Sequence, residues 1–165
     1  MEVRSLRKAD EASYRALRIE SIEQAPDLAT PRILQELDNT RNANAVLDAY
    51  GPQQCVFGTF YGGSLVGVVA MDASPDRLNP HDIELWGLYV VPRLRGTPVS
   101  QLLLEAAIAW ARHQPGKLTV SVEFARSNRY AFRFFDRNYF SVRPPQEHEE
   151  RFSQERMRMD YFLGE

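Results

Sequence analysis

The spacing of apolar residues changes from helical to alternating near residue 54, and this change limits the chain to folds that combine helices with a sheet. Before it, Asp10 and Thr30-Pro31 are typical helix starts, and apolar residues follow each at helical spacing. After it, residues 54–61 and 64–71 are rich in strand-forming residues and meet at Gly62-Gly63, which predicts an antiparallel hairpin. The predicted fold class is therefore α/β, of the α+β type.

The rest of the chain continues this mixture without a repeat, a linker or a low-complexity segment. Further strands are predicted at residues 2–6, 83–91, 118–122, 140–142 and 157–163, and further helices at 44–49, 99–113 and 128–137. A chain of 165 residues has the size of one domain and is long enough to bury a core. We therefore predict a single domain over residues 1–165.

Composition excludes several classes of protein. The formal net charge is -2, so nothing draws the whole chain to nucleic acid or to an anionic membrane. Even a long apolar run, residues 65–71, is far shorter than the roughly 20 residues of a membrane span. The single Cys55 cannot form an internal disulfide, and the three histidines are too scattered for a zinc site. With charges among the first eight residues instead of a signal peptide, we expect a cytoplasmic protein without a metal.

A strand, a tight basic turn and a helix start follow one another after residue 90. The turn carries Arg95-Gly96-Thr97, and Pro98 opens the helix. Free N–H groups at a helix start, a glycine that allows close approach and a neighbouring arginine together suit an anion. The alternative is an ordinary turn with surface arginines, and neither the P-loop nor the G-x-G-x-x-G motif of nucleotide-binding proteins is present.

Two blocks of residues extend this pattern. They read Val90-x-Pro92-x-x-Arg95-Gly96-x-x-x-Ser100 and Asn128-x-x-Ala131-x-x-x-Phe135-x-x-x-Tyr139-Phe140. The first resembles the acetyl-CoA-binding motif of the GNAT N-acetyltransferase superfamily, Q/R-x-x-G-x-G/A after a Val-x-Pro strand end. The second resembles a later block of the same family, N-x-x-A-x-x-x-Y-x-x-x-G-F. The resemblance covers nearly the whole chain.

The resemblance implies a fold and a cosubstrate, acetyl-CoA. GNAT domains have a mixed, mostly antiparallel sheet of about six or seven strands, flanked by helices and splayed between the fourth and fifth strands. The pantetheine arm of acetyl-CoA enters the splay. By this resemblance, the cofactor-binding residues are the strand Leu88, Tyr89 and Val90, the turn Arg95, Gly96, Thr97, Pro98, Val99 and Ser100, and, further along, Asn128 and Phe135. Asn128 also suits a helix N-cap, and both roles are compatible.

Three residues depart from the family pattern. Pro98 stands where the motif has a glycine, and proline has no N–H to offer a phosphate oxygen. Phe135 stands at the position of a tyrosine that protonates the leaving thiolate in many relatives, and phenylalanine cannot donate a proton. Tyr139 replaces a glycine and is retained as a candidate for the missing acid. A thiol is acidic enough, with a pKa near 8.5, for expulsion without a dedicated acid.

A base is needed because a lysine-type amine has a pKa near 10.4 and is protonated at neutral pH. Glu84 is the first candidate, since it lies in the strand that leads to the cofactor, and Glu123 at the end of the next strand is the second. Alternation puts Glu84, Trp86 and Leu88 on one face of their strand. The alternative for Glu84 is a solvated position at the start of a strand.

The predicted function is transfer of an acetyl group from acetyl-CoA to a primary amine of a small molecule or peptide. The acceptor regions of this fold hold acidic residues, which attract a cationic amine or are only solvated charge: Glu23, Asp27, Glu36, Glu147, Glu149 and Glu150. The alternatives are a non-catalytic acyl-CoA-binding module and, behind it, an interaction domain without a ligand. A homodimer is left open.

Overall fold

A single mixed sheet organises the chain in the computed structural model, which describes residues 1–26, 30–41, 47, 51–74, 79–144 and 155–164. Its strands are β1 (Glu2–Ser5), β2 (Gln54–Tyr61), β3 (Ser64–Asp72), β4 (Asp82–Val90), β5 (Thr119–Ala125), β6 (Ser141–Val142) and β7 (Arg156–Phe162). The helices are α1 (Glu11–Gln24), α2 (Pro31–Arg41), α3 (Val99–Arg112) and α4 (Arg129–Arg137). The strand order is β1-β2-β3-β4-β5-β7-β6, and only β4 and β5 pair in parallel among the described strands.

Helices cover both faces of the sheet. On one face, called the α3 face, α3 buries a stripe at helical spacing: Val99, Leu103, Ala107 and Ala111. On the other, called the α1 face, Tyr14 and Leu17 of α1 pack on β2, β3 and the end of β4. The predicted hairpin forms, with Gly62 and Gly63 both at positive φ. The predicted α/β fold with a mixed, mostly antiparallel sheet is confirmed, and most of the helical piece predicted at 44–49 lies outside the described residues.

The parallel pair opens after four residues. β4 and β5 are in register from Asp82 and Thr119 to Leu85 and Val122, and beyond these residues the two strands have no pairing. Each strand nevertheless continues, β4 to Val90 and β5 to Ala125. The predicted splay between the fourth and fifth strands is therefore present, and we call it the split.

A bulge in β4 lies at the start of the split. Trp86 pairs with Ala70 and Tyr89 with Val68, so β4 holds one residue more than β3 between these pairs. Gly87 takes a φ of 63° there. The prediction that Trp86 and Leu88 share a face is wrong, because the extra residue turns Leu88 to the α3 face while Trp86 packs on the α1 face.

The start of α1 lacks the side-chain cap that was predicted for Asp10. Asp10 is at the N-cap position, but its carboxylate makes no side-chain cap of the helix. It accepts hydrogen bonds from both Nη atoms of Arg4, at 2.8 and 2.9 Å, and from the Arg7 N–H. A bidentate arginine is a stronger partner than the helix N–H groups, and it ties β1 to α1.

This ion pair predicts an acid-sensitive contribution to stability. The hydrogen bonds from Arg4, against a smaller opposing effect of burial, lower the pKa of Asp10 to about 2. Because the folded pKa lies below the unfolded value, the stabilisation is complete above the unfolded pKa near 4 and is lost as pH falls toward 2. Asp10→Asn should lower the free energy of unfolding by about 1–2 kcal/mol at pH 7.

Urea denaturation of both proteins between pH 7 and pH 3 measures this effect, and the gap should narrow as the pH falls. Glu2→Gln is the control, because Glu2 lies 3.7 Å from Arg4 Nε and its side chain is 68% exposed. A penalty for Asp10→Asn that is the same at every pH would contradict the assignment.

No described helix is both long and apolar enough to cross a membrane. The described residues also contain no group of three or more His, Cys, Asp or Glu side chains that could hold a metal ion.

Candidate active site

The split leaves one edge of β4 open over the residues predicted to pair with a ligand. Val91 donates its N–H to Val66 O of β3 at 2.9 Å. Since backbone groups alternate along the strand beyond the bulge, the C=O group of Leu88 and the N–H and C=O groups of Val90 point away from β3, toward the split, while those of Tyr89 point toward β3. An extended ligand can add to this edge as a strand does.

The turn after β4 leads directly to the start of α3. Gly96 has a φ of 80°, and a Cβ there would have no atom within 4 Å, so the turn is open to a ligand. The helix begins at Val99, as in the predicted range 99–113, and Pro98 is its N-cap residue. Its carbonyl accepts from Leu102 N–H at 2.9 Å. The N–H groups of Val99, Ser100 and Gln101 have no acceptor among the described residues, which suits an anion.

Arg95 lies against the end of β4. Its Nε is 3.4 Å from Val90 O, and its guanidinium is 5.8 Å from the centre of the Tyr89 ring. Tyr89 is buried, and its hydroxyl donates to Glu20 at 2.9 Å. Burial and this hydrogen bond raise the pKa of Tyr89 to about 12. Arg95 is therefore the cation of the turn that contacts the end of β4, and the neutral ring of Tyr89 packs beneath it.

Asn128 is the N-cap of α4. Its Oδ1 accepts from Ala131 N–H at 3.0 Å, so the capping role is present. The side-chain NH₂ makes no hydrogen bond within the described part of the chain, and Asn128 is exposed. The Oδ1 atom of Asn128 thus caps the helix, and its NH₂ group remains available to a ligand.

Phe135 and Tyr139 lie in opposite environments. Phe135 is 3% exposed and packs against the rings of Phe124, Phe134 and Phe140, with centroids 5.8, 5.2 and 5.0 Å away. Tyr139 has a φ of 70°, the conformation of the glycine it replaces, and is 84% exposed. No hydrogen bond or ring contact joins its side chain to a described residue. The role of Tyr139 as a general acid and that of Phe135 as a cofactor contact stay predictions.

Glu84 lies at the start of the split, on the α1 face, in an ion-paired cluster. Arg32 of α2 donates from Nη1 to Glu84 Oε2 at 2.6 Å and from Nη2 to Asp72 Oδ2 at 2.5 Å. The same guanidinium is 4.4 Å from the centre of the Trp86 ring. We call Arg32, Asp72, Glu84 and Trp86 the arginine clamp.

Glu123 is on the same face, further along β5. Its Oε1 is 2.6 Å from Arg156 Nε, its Oε2 is 3.9 Å from Arg158 Nη2, and its side chain is 41% exposed. Ser121 pairs with Glu84, and its buried hydroxyl makes no hydrogen bond within the described residues. The two candidate bases therefore lie on the same face as a buried hydroxyl group that has no hydrogen-bond partner among the described residues.

A buried polar group of residues supports the bulge. Arg18 is 1% exposed, donates from Nε to Tyr14 Oη at 3.0 Å, and donates from Nη1 to Gly87 O at 2.5 Å. Tyr14 donates to Glu36, with both carboxylate oxygens at 2.8 Å, and burial raises the pKa of Tyr14 above its ordinary value. Glu36 is 7% exposed, so its predicted place in an acidic rim is wrong.

The other members of that predicted rim divide between exposed and undescribed positions. Glu23 is exposed, and Asp27, Glu147, Glu149 and Glu150 lie outside the described residues.

Sequence reasoning missed Arg32, Asp72 and Trp86 as members of this site. One local signal was available for Arg32. It follows Thr30-Pro31, in the first turn of a helix, where the helix dipole disfavours a cation. An arginine in that position is expected to have carboxylate partners, although its sequence position does not say which.

The sheet with its split, the open edge of β4 and the helix start beneath it define an acyl-CoA-dependent acetyltransferase of the GNAT type. The sequence model of the acetyltransferase (GNAT) family matches residues 15–140. The chain belongs to this family, and it is an acyltransferase whose family uses acetyl-CoA as cosubstrate.

Solved structures agree on the fold. The chain resembles the PaiA N-acetyltransferase from Thermoplasma acidophilum in complex with coenzyme A, at 19% identity over 98% of each chain, with a TM-score of 0.69. It also resembles yncA from Salmonella typhimurium with its cofactor acetyl-CoA, at 18% identity over 100% of this chain and 95% of that one, with a TM-score of 0.72. The ribosomal-protein-alanine N-acetyltransferase from Brucella melitensis matches at 18% identity over 98% and 99% of the chains, with a TM-score of 0.69. No curated protein matches the sequence.

Proposed function

We propose that this enzyme transfers the acetyl group of acetyl-CoA to a primary amine of a small molecule or peptide, with Glu84 as the base. The observation that carries the proposal is that the split between β4 and β5 begins beside Glu84 and leads along an open strand edge to the start of α3. A thioester in the split and an amine on the α1 face would meet there. We also propose one domain over residues 1–165 and a cytoplasmic location, the latter supported by the single free Cys55.

The proposed cosubstrate site uses backbone groups more than side chains. Leu88 and Val90 would pair with the amides of the pantetheine arm. The N–H groups of Val99 and Ser100 would bind the pyrophosphate, with Arg95 adding charge. Asn128 would contact the arm with its uncommitted NH₂ group.

The proposed reaction is a direct attack. Glu84 would accept a proton from the ammonium, either directly or through a water beside Ser121, so that the neutral amine can attack the thioester carbon. The C–N bond forms as the C–S bond breaks, and the nitrogen loses its second proton to water or to the departing thiolate. The leaving thiolate needs no dedicated acid near neutral pH.

The test is calorimetric titration with acetyl-CoA, followed by a panel of amines with detection of the released thiol. Binding with turnover on at least one amine supports the proposal. Binding without turnover on any amine would point to a module that binds acyl-CoA without catalysis. No binding at high micromolar acetyl-CoA would remove the proposal, since every form of it requires this site.

Arg95→Ala should weaken acetyl-CoA binding by about 1–3 kcal/mol, the range of a charge-assisted hydrogen bond. That corresponds to a dissociation constant raised about 5- to 150-fold. Arg93→Ala is the control, because Arg93 is exposed on the same turn and has no partner among the described residues. Calorimetry at two salt concentrations separates a specific contact from a general loss of positive charge. Equal effects of the two variants would argue against a specific role for Arg95.

Pro98→Gly should leave the affinity unchanged or improve it, because glycine restores an N–H group next to the free groups of Val99 and Ser100. A marked loss of affinity in the folded variant would show that the turn binds its ligand elsewhere.

A further inference from the structure

Arg32 holds a position that suits a bound cation. Its guanidinium lies between the carboxylates of Asp72 and Glu84, at 2.5 and 2.6 Å, and 4.4 Å from the centre of the Trp86 ring. Carboxylates and the face of an indole ring are the groups with which proteins bind ammonium and guanidinium ions. One side chain of the protein thus occupies a receptor for a cation, next to the proposed base.

The setting of Arg32 allows it to leave this receptor. Arg32 is the second residue of α2, where the positive end of the helix dipole disfavours a cation. Its side chain is 33% exposed, whereas that of Asp72 is 8% exposed and that of Glu84 is 23% exposed. The side chain of Arg32 is thus more exposed than that of either acid, which allows its guanidinium to swing outward.

We propose that Arg32 occupies the seat of the acceptor's cationic group, and that an acceptor binds by replacing the guanidinium between Asp72 and Glu84. The inference rests on the proposed function, because it names the acceptor class for the same site: amines that arrive as alkylammonium ions. A neutral or anionic acceptor cannot replace the positive charge of Arg32 between these carboxylates. Once seated, the ammonium lies against Glu84, which then takes its proton.

The proposal has a quantitative consequence for binding. An acceptor that must displace Arg32 binds only the fraction of molecules in which the clamp is open, and its apparent affinity falls by that fraction. Removing the guanidinium takes a competing cation away from both carboxylates. Arg32→Met should therefore bind an alkylammonium ion about tenfold more tightly than the original protein.

The probes are n-butylamine and its neutral counterpart n-butanol, titrated at pH 7 without acetyl-CoA. The emission of Trp86 is followed in a Trp110→Phe background, because Trp86 and Trp110 are the two tryptophans of the chain. Arg32→Met should gain affinity for butylammonium and not for butanol, and the gain should shrink at high salt. Arg15→Met is the control: Arg15 Nη1 is 3.4 Å from Leu37 O, so it contacts α2 without touching the clamp.

Arg32→Lys is a second variant that keeps the test possible if Arg32→Met does not fold. It keeps the charge but has one nitrogen to share between two carboxylates, so it should give a smaller gain in the same direction. Unchanged or weaker butylammonium binding in the folded Arg32 variants, or an equal gain in Arg15→Met, overturns the proposal.

Thiol release in the same variants separates this inference from the proposed function. If the Arg32 variants bind the amine more tightly but no variant transfers an acetyl group, the cation site is supported and the proposed transfer is refuted. If acetyl transfer occurs but removing Arg32 brings no gain in amine affinity, the proposed function stands and Arg32 positions Glu84 instead.

Discussion

Glu84→Gln is expected to lower kcat at pH 7 by about 100- to 10,000-fold, the usual contribution of a positioned base. Alkylamines are almost fully protonated at this pH, and the glutamine amide cannot take the proton. The variant keeps the size of the side chain, and its carbonyl oxygen can still accept the hydrogen bond from Arg32 that Glu84 accepts at 2.6 Å. Acetyl-CoA affinity should stay within about twofold, because no proposed cosubstrate contact involves Glu84.

The pH profile provides the sharper measurement. As pH rises toward the pKa of the amine, the neutral fraction grows and the deficit of Glu84→Gln should shrink. Glu123→Gln is the matched control, since Glu123 is on the same face and is also paired with an arginine, but it lies beyond the paired part of β5 and its side chain is 41% exposed against 23% for Glu84. A deficit that is constant with pH, or a larger loss in Glu123→Gln than in Glu84→Gln, would move the role of base away from Glu84.

The sheet could be predicted because its signals are local. Gly62-Gly63 between two strand-forming runs specifies a hairpin, and the structure forms it. The same holds for α3, whose buried residues recur at helical spacing. The splay came from the family resemblance, since no periodicity says where two parallel strands separate.

The bulge could not be predicted, because the side chain that contacts it is distant in the chain. Arg18 of α1 binds the carbonyl of Gly87 from 69 positions away. The period-two pattern of β4 contains no sign of the extra residue, so alternation misplaced Leu88. The contacts of the arginine clamp are also distant in the chain, since Arg32 is 40 positions from Asp72 and 52 positions from Glu84. Such contacts follow from tertiary packing, which local residue preferences do not encode.

Gly87→Ala is expected to lower the free energy of unfolding by about 3–4 kcal/mol, which combines the strain of alanine at positive φ with overpacking. The φ of Gly87 is 63°, which is unfavourable for any residue with a Cβ. The Cβ would also collide with the guanidinium of Arg18, which is buried and hydrogen-bonded to the Gly87 carbonyl. Neither group can move aside without breaking that bond.

Gly62→Ala separates the cost of backbone strain from the cost of the collision with Arg18. Gly62 has a φ of 58°, nearly that of Gly87, but a Cβ there would meet no atom within 4 Å. Its penalty should be the backbone strain alone, about 1–2 kcal/mol. Urea denaturation of both variants measures the difference, which reports the collision with Arg18. Equal penalties would show that Arg18 yields easily, and that the bulge does not depend on its contact.

The same pair of variants tests whether the bulge matters for function. Gly87 lies where β4 parts from β5, between Trp86 of the clamp and the open edge at Leu88 and Val90. A shift of its backbone would move both the proposed cosubstrate edge and the ring beneath Arg32. In protein that remains folded, Gly87→Ala should therefore weaken acetyl-CoA binding, while Gly62→Ala, in the hairpin turn between β2 and β3, should not. Unchanged affinity in Gly87→Ala would mean that the split keeps its shape without the glycine, and that the bulge serves stability alone.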